Sequence, residues 1–131
     1  MSCIIHPVTY KSYESYESKI LLSWEEVYRQ GLLTFWIFVS LKDGELDVQG
    51  IKAKVEDLTN GSYVAAEQTL YRVLRKNYDL ELVDYREVPS SSGPKKKLYS
   101  LSELGNKLLE DFVNRNIKLF YQPTIKNMTK E

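Results

Sequence analysis

Hydrophobic positions recur at intervals of three and four residues along four stretches of the chain and alternate along a fifth. The first stretch opens at Ser23-Trp24-Glu25-Glu26, which has the form of a capping box. The serine can accept from an early helix amide while Glu26 reaches back to it, and Leu22 and Val27 stand at the staple positions. The helix predicted there runs to about Leu41 and stops at Lys42-Asp43-Gly44, where glycine can turn left-handed. Its second half, from Leu32 to Leu41, is apolar nearly all round and is expected to be covered on several sides.

A second helix is predicted from Asp47 to Leu58, with Val48, Ile51, Val55 and Leu58 in one stripe and Asp47 in the dipole-favoured first turn. Asn60-Gly61 ends it. A third helix, Ala66 to Tyr78, turns Leu70, Val73, Leu74 and Tyr78 inward and Gln68, Arg72, Arg75 and Lys76 outward, with Thr69 and Tyr71 flanking. Leu80 to Val88 alternates as a strand. The breaker cluster Pro89 to Pro94 follows, and Lys95-Lys96-Lys97 leads into Leu98-Tyr99-Ser100-Leu101, which predicts a hairpin with a basic tip. A last helix from Ser102 to Tyr121 carries Leu104, Leu108, Phe112, Ile117 and Phe120 on an apolar face too wide for one chain to cover, so a partner subunit is expected there.

The fold class expected from this order is mainly α with a small β-hairpin (α+β). It is a winged helix-turn-helix with a long C-terminal dimerisation helix. Residues 1–19 read as an N-terminal arm, 20–121 as the DNA-binding and dimerisation domain, and 122–131 as a frayed tail. The 131 residues suffice for one domain with its own core.

Composition removes several classes of function. One cysteine, Cys3, and one histidine, His6, cannot supply a zinc site, and as a nucleophile pair they lack an orienting third group. No constellation of acid, base and nucleophile stands out, so the chain reads as a non-enzyme with no cofactor and no metal. The run Leu32 to Leu41 is about half of what a membrane span needs, no export signal opens the chain, and a single thiol fits a reducing cytoplasm. Eighteen basic residues balance eighteen acidic ones, which argues against a protein that coats nucleic acid non-specifically. The charge is not evenly spread. Between Leu70 and Ser100 seven basic residues stand against four acidic ones.

The residues also resemble the PadR-like family of bacterial transcriptional regulators. The resemblance is carried by Leu41-Lys42-Asp43-Gly44-Glu45-Leu46, by Leu58-Thr59-Asn60-Gly61, by Thr69-Leu70-Tyr71-Arg72-Val73-Leu74, and by Lys97 to Gly105, similar to the family's K-x-Y-x-L-T-x-x-G. It extends over roughly Leu33 to Phe120. Three departures are visible. Asp47-Val48-Gln49 replaces the usual H-G-Y, and Ala66-Glu67-Gln68 replaces the usual S-P-G. Lys76 to Val83 lacks the glycine of R-L-E-x-x-G-L-I, so the turn into the wing is expected to differ. Glu67 suits the helix dipole but is unfavourable beside a phosphate.

Position assigns roles within that layout. Gln68, Thr69 and Arg72 are candidates for base edges, Tyr71, Arg75 and Lys76 for phosphates, and Lys95, Lys96 and Lys97 for a clamp at the wing tip. The function expected is sequence-specific binding of double-stranded DNA by a homodimer, as a repressor on a pseudo-palindromic operator with half-sites ~34 Å apart. Leu104, Leu108, Phe112, Ile117 and Phe120 are the dimer candidates, packing on the partner and on the N-terminal part of the first helix. A winged-helix module that binds protein instead of DNA is the alternative. The resemblance allows for drug-binding relatives with a pocket between subunits, for which Trp24, Phe35, Trp36 and Phe38 would serve. Core packing explains their spacing more simply, and no residue selects a small-molecule effector.

Overall fold

The computed structural model describes residues 15–130. The chain divides into two compact units, residues 1–33 and 34–131. The described part of the first unit is essentially one helix, α1 (Tyr16–Gly31). Its N-cap is Ser15, whose side chain accepts from the Ser18 amide at 3.1 Å. The expected start at Ser23 is therefore corrected: Ile20, Leu21 and Leu22 are already helical, and Ser23 sits inside the helix. The helix also does not run unbroken to Leu41, because Leu32 leaves helical geometry and caps α1. Of the arm expected over 1–19, residues 1–14 lie outside the described residues and 16–19 form the first turn of α1.

The second unit holds the rest of α2 (Leu33–Ser40), then α3 (Val48–Leu58), α4 (Glu67–Asp79), the strands β1 (Val83–Ser90) and β2 (Gly93–Leu101), and α5 (Glu103–Phe112). Ile37, Ile51, Val55, Leu70, Leu74 and Val83 are fully buried, so α2, α3, α4 and β1 all contribute to one core. α3 packs on α4, α4 on β1, and β2 on both α3 and α5. Asp47 caps α3, its Oδ1 accepting from the Gly50 amide at 2.8 Å. Leu74 and Asn77, and not Tyr78, complete the buried face of α4. Tyr78 is 44% exposed, while Asn77 turns inward and donates from Nδ2 to the Val73 carbonyl at 2.8 Å.

Both helices of the helix-turn-helix end in the same way. After α3, the Asn60 amide bonds to the Asp57 carbonyl and the Gly61 amide to the Glu56 carbonyl, with Asn60 left-handed at φ 53°. After α4, the Glu81 amide bonds to Tyr78 and the Leu82 amide to Asn77, at 2.9 and 2.8 Å. This is a Schellman motif in which Glu81 takes the left-handed place at φ 66°. The glycine of the family pattern is missing here, and Glu81 takes the left-handed place itself.

The hairpin is antiparallel, with Val83 opposite Leu101, Tyr85 opposite Tyr99 and Val88 opposite Lys96. Its ladder is irregular between Val88 and Ser90, at Pro89, which has no amide to donate. Strand pairing resumes at Ser90 and Gly93, so Ser91-Ser92 alone form the tip. The lysines expected at the tip lie instead inside β2. Leu46 extends the sheet: its amide donates to the Tyr99 carbonyl at 3.1 Å, and its carbonyl accepts in return from the Tyr99 amide at 2.8 Å.

Ser102 caps α5, its Oγ accepting from the Gly105 amide at 2.9 Å and donating to the Glu81 carbonyl at 2.7 Å. Regular α-helix ends at Phe112, short of the expected Tyr121. A π-helical turn (Val113–Ile117) and a 3-10 turn (Lys118–Tyr121) carry the helix on. The tail expected to fray forms further turns, α6 (Pro123–Lys126) and a 3-10 turn (Asn127–Thr129).

Candidate nucleic-acid interface

Because the inward face of α4 is fixed by Leu70, Leu74 and Asn77, its outward face is fixed too. Gln68, Tyr71, Arg72, Arg75 and Lys76 are exposed and Thr69 is half-buried. Gln68, Arg72, Arg75 and Lys76 stand on one ridge by their spacing of three and four residues. Tyr71 and Arg75 face the wing. A groove of about 330 Å³ runs between the start of α3 (Asp47, Val48, Gln49), Tyr71, and the β2 segment Pro94 to Lys97 with Tyr99. Beside it a smaller hollow of about 190 Å³ is lined by Tyr71, Arg75, Tyr78, Tyr85, Lys97 and Tyr99. The fold thus brings Tyr71 together with Lys95, Lys96 and Lys97, and Arg75 together with Lys97. Gln68, Thr69, Arg72 and Lys76 line neither hollow.

Three of the tyrosines stack in a row. Tyr78 and Tyr85 have ring centroids 5.0 Å apart, and Tyr85 and Tyr99 5.8 Å apart. The Lys97 ammonium sits 4.5 Å above the Tyr85 ring, a cation–π contact. Burial pushes the Tyr99 hydroxyl up from its ordinary range; Tyr71 and Tyr85 add to this and Arg75 opposes it.

Part of the charge at this face is answered from within the chain. Arg86 holds Glu45 in a fork, with Nε 3.0 Å from both carboxylate oxygens and Nη2 2.6 Å from Oε1. Those hydrogen bonds and the adjacent guanidinium charge hold the Glu45 carboxyl below its ordinary value. Lys96 Nζ lies 3.6 Å from Asp47 Oδ2, so Asp47 serves the α3 amide with one oxygen and the wing with the other. Gln49 donates from Nε2 to Glu67 Oε2, joining the first turns of the two helices. Lys95, Gln68, Arg72 and Lys76 make no hydrogen bond or ion pair among the described residues.

The carboxylates Glu45, Asp47 and Glu67, the amide of Gln49 and the rings of Tyr85 and Tyr99 are the members of this site that sequence reasoning missed. Glu67 and Asp47 were visible as helix-end residues. Their partners, up to 49 positions away, carried no local signal. On the opposite side of α5, Leu104 and Leu108 are 47% and 41% exposed, and Phe120 is 49% exposed. Phe112 is half-buried with its ring 5.4 Å from that of Phe35, and Ile117 is half-buried. Of the residues considered for a ligand pocket, Trp24 is exposed, Phe35 and Trp36 are half-buried and Phe38 is buried. Among the described residues no helix is long and apolar enough to cross a membrane, and no three His, Cys, Asp or Glu side chains are grouped to hold a metal ion.

The model of the transcriptional regulator PadR-like family matches residues 37–111, from the core of α2 to α5. Among solved structures, the chain is similar to Bacillus subtilis PadR in complex with operator DNA, at 24% identity and a TM-score of 0.58 over 63% of this chain. It spans about half of that protein, 47% of its length. It is similar over nearly the whole length of two others. A PadR-like transcription factor from Bacteroides fragilis has 24% identity and a TM-score of 0.63, with 81% of this chain and 98% of that one covered. A PadR family regulator from Eggerthella lenta has 16% identity and a TM-score of 0.67, with 88% and 97% covered. At these identities the likeness shows a shared fold. No curated protein matches the chain in sequence.

Proposed function

The chain belongs to the transcriptional regulator PadR-like family, and from that premise we propose that it is a cytoplasmic homodimeric repressor that binds a pseudo-palindromic operator through α4 and the wing. The observation that carries this reading is the juxtaposition of an outward ridge on α4 with a groove that joins Tyr71 to Lys95, Lys96 and Lys97. In a winged helix-turn-helix the second helix of the motif enters the major groove and the wing follows the backbone. Gln68, Thr69 and Arg72 then meet base edges, with the amide suited to adenine and the guanidinium to guanine. Tyr71, Arg75 and Lys76 hold phosphates and set the register. The B. subtilis relative bound to operator DNA supports this reading for the family.

The dimer is proposed on the exposed apolar face of α5. Leu104 and Leu108, one turn apart, together with Phe120, leave apolar surface that a second copy can remove from water. α1 separately presents Ile20, Leu21, Leu22, Trp24, Val27 and Tyr28 to solvent, a second surface available to a partner. With two copies related by a two-fold axis, half-sites would lie ~34 Å apart. A groove lined by Val39, Leu109 and Val113, with Lys42, Glu110 and Asn114 around them, is mainly apolar, and nothing in it selects a small-molecule effector. Gel-shift titration of a random duplex pool at low salt tests the DNA reading. The wild-type chain should shift it, and the combined replacement of Lys95, Lys96 and Lys97 by Ala should not. Equal shifts for both would make the wing assignment wrong, and no shift by the wild type would favour the competing role, a winged-helix module that binds protein.

A further inference from the structure

Resting on that DNA-binding reading, we propose that Glu67 and Gln49 act together as a base-reading pair that selects a C·G base pair, with cytosine on the Glu67 side. Both residues are exposed; Glu67 opens the helix that enters the major groove in this motif, and Gln49, in the first turn of the helix before it, reaches across to it. Gln49 Nε2 donates to Glu67 Oε2, and neither side chain has another partner among the described residues. The bond fixes the sense of the amide, because its carbonyl turned toward the carboxylate would meet a second acceptor. The pair therefore offers a free carboxylate oxygen beside a free amide N–H.

Base chemistry selects among the four pairs. Cytosine presents the N4 amino donor, and its guanine partner presents O6 and N7 as acceptors. A carboxylate facing N4 and an amide N–H facing O6 are each matched, and the next group on the amide side, N7, is again an acceptor. An A·T pair also offers an amino group, at adenine N6, but adenine N7 then lies beside the carboxylate and repels it. Guanine or thymine on the Glu67 side presents an oxygen to an anion. The carboxylate thus acts by rejection as much as by attraction.

A structural clip between α3 and α4 would need the same hydrogen bond but would not affect base choice, and this separates the two roles. Selection of bound sequences from a random duplex pool, with the wild-type chain and with Glu67→Gln, measures base choice directly. The wild-type motif should contain one C·G pair in each half-site preferred by ~10-fold, the range of one good base contact. In Glu67→Gln that position should lose its C·G preference or turn toward A·T, while the other positions keep theirs. Gln49→Ala should weaken the same position only. A Glu67→Gln protein that melts like the wild type and selects an unchanged motif would overturn the pair as a base reader. A wild-type chain that selects no motif would overturn the DNA-binding reading itself, and this inference with it.

Discussion

Gly105 approaches Leu82 so closely that a side chain has no room: its first carbon would lie 2.1 Å from the Leu82 carbonyl oxygen. The contact docks α5 against the turn that leads into the wing, and Ser102 closes the same joint through the Leu82 carbonyl at 3.0 Å. Helix and turn are both backbone here, so neither can move aside without breaking hydrogen bonds.

Gly105→Ala is accordingly expected to destabilise the chain by about 3 kcal/mol, the scale of an overpacked interior. Urea denaturation of the two proteins measures it. A loss below about 1 kcal/mol would mean that α5 can slide away from the turn.

Glu81→Gly is expected to stabilise. A left-handed residue with a side chain costs about 1–2 kcal/mol, and glycine's extra chain entropy returns about 0.5–1 of that. The net gain should be about 0.5–1 kcal/mol, seen as a higher denaturant midpoint at unchanged slope. A lower midpoint would show that the Glu81 side chain contributes more than its backbone costs.

Arg72→Ala should cost about 1–3 kcal/mol of DNA affinity that depends on the sequence of the site, while Lys95→Ala weakens specific and scrambled duplexes alike. Lys95 suits this comparison better than its neighbours, since Lys96 is already paired with Asp47 and Lys97 rests on Tyr85. Titration of both variants on two duplexes decides it. Equal losses on both duplexes for Arg72→Ala would remove it from base contact.

Asp47→Asn keeps an N-cap, because asparagine caps as well as aspartate, but frees Lys96. Non-specific DNA binding should tighten and its dependence on salt should steepen by about one unit. Binding isotherms at several salt concentrations give the slope, and an unchanged slope would show that Lys96 does not reach a phosphate.

The Glu45–Arg86 fork carries a pH dependence with a definite sign. The Glu45 carboxyl is held below its unfolded value, so its contribution is present above that value, about 4.3, and is lost as pH falls through the lowered folded one. Thermal unfolding of the wild type should therefore fall more steeply below about pH 4 than that of Glu45→Gln. Parallel pH profiles would remove the fork from the stability of the wing.

The parts of the fold with local punctuation were legible in the sequence. Asn60-Gly61 marks the end of α3, Ser102 the start of α5, and the spacing of Leu70 and Leu74 the inner face of α4. Elsewhere the local signals misled. Ser23-Trp24-Glu25-Glu26 has the composition of a capping box, yet the apolar residues before it are themselves helical and Ser15 does the capping. Pro89 to Pro94 read as one long loop, whereas a hairpin with two edges tolerates a proline on each strand, and only Ser91 and Ser92 are needed to turn it. The basic residues of the candidate interface were visible as a charge surplus. The carboxylates that answer them were not, because Glu45 with Arg86 and Gln49 with Glu67 meet only through the tertiary fold.

Leu46 joins the wing to the helix-turn-helix by two backbone hydrogen bonds to Tyr99, and its neighbours Glu45 and Asp47 add an ion pair each. Three consecutive residues thus hold the wing against the start of α3, and the gap between wing and α4 is set by the protein alone. For a protein that binds DNA as proposed, any misfit must then be absorbed by the duplex. Narrow or easily deformed stretches would be favoured under the wing even where no side chain touches a base, so that the stiffness of the DNA becomes part of what is recognised.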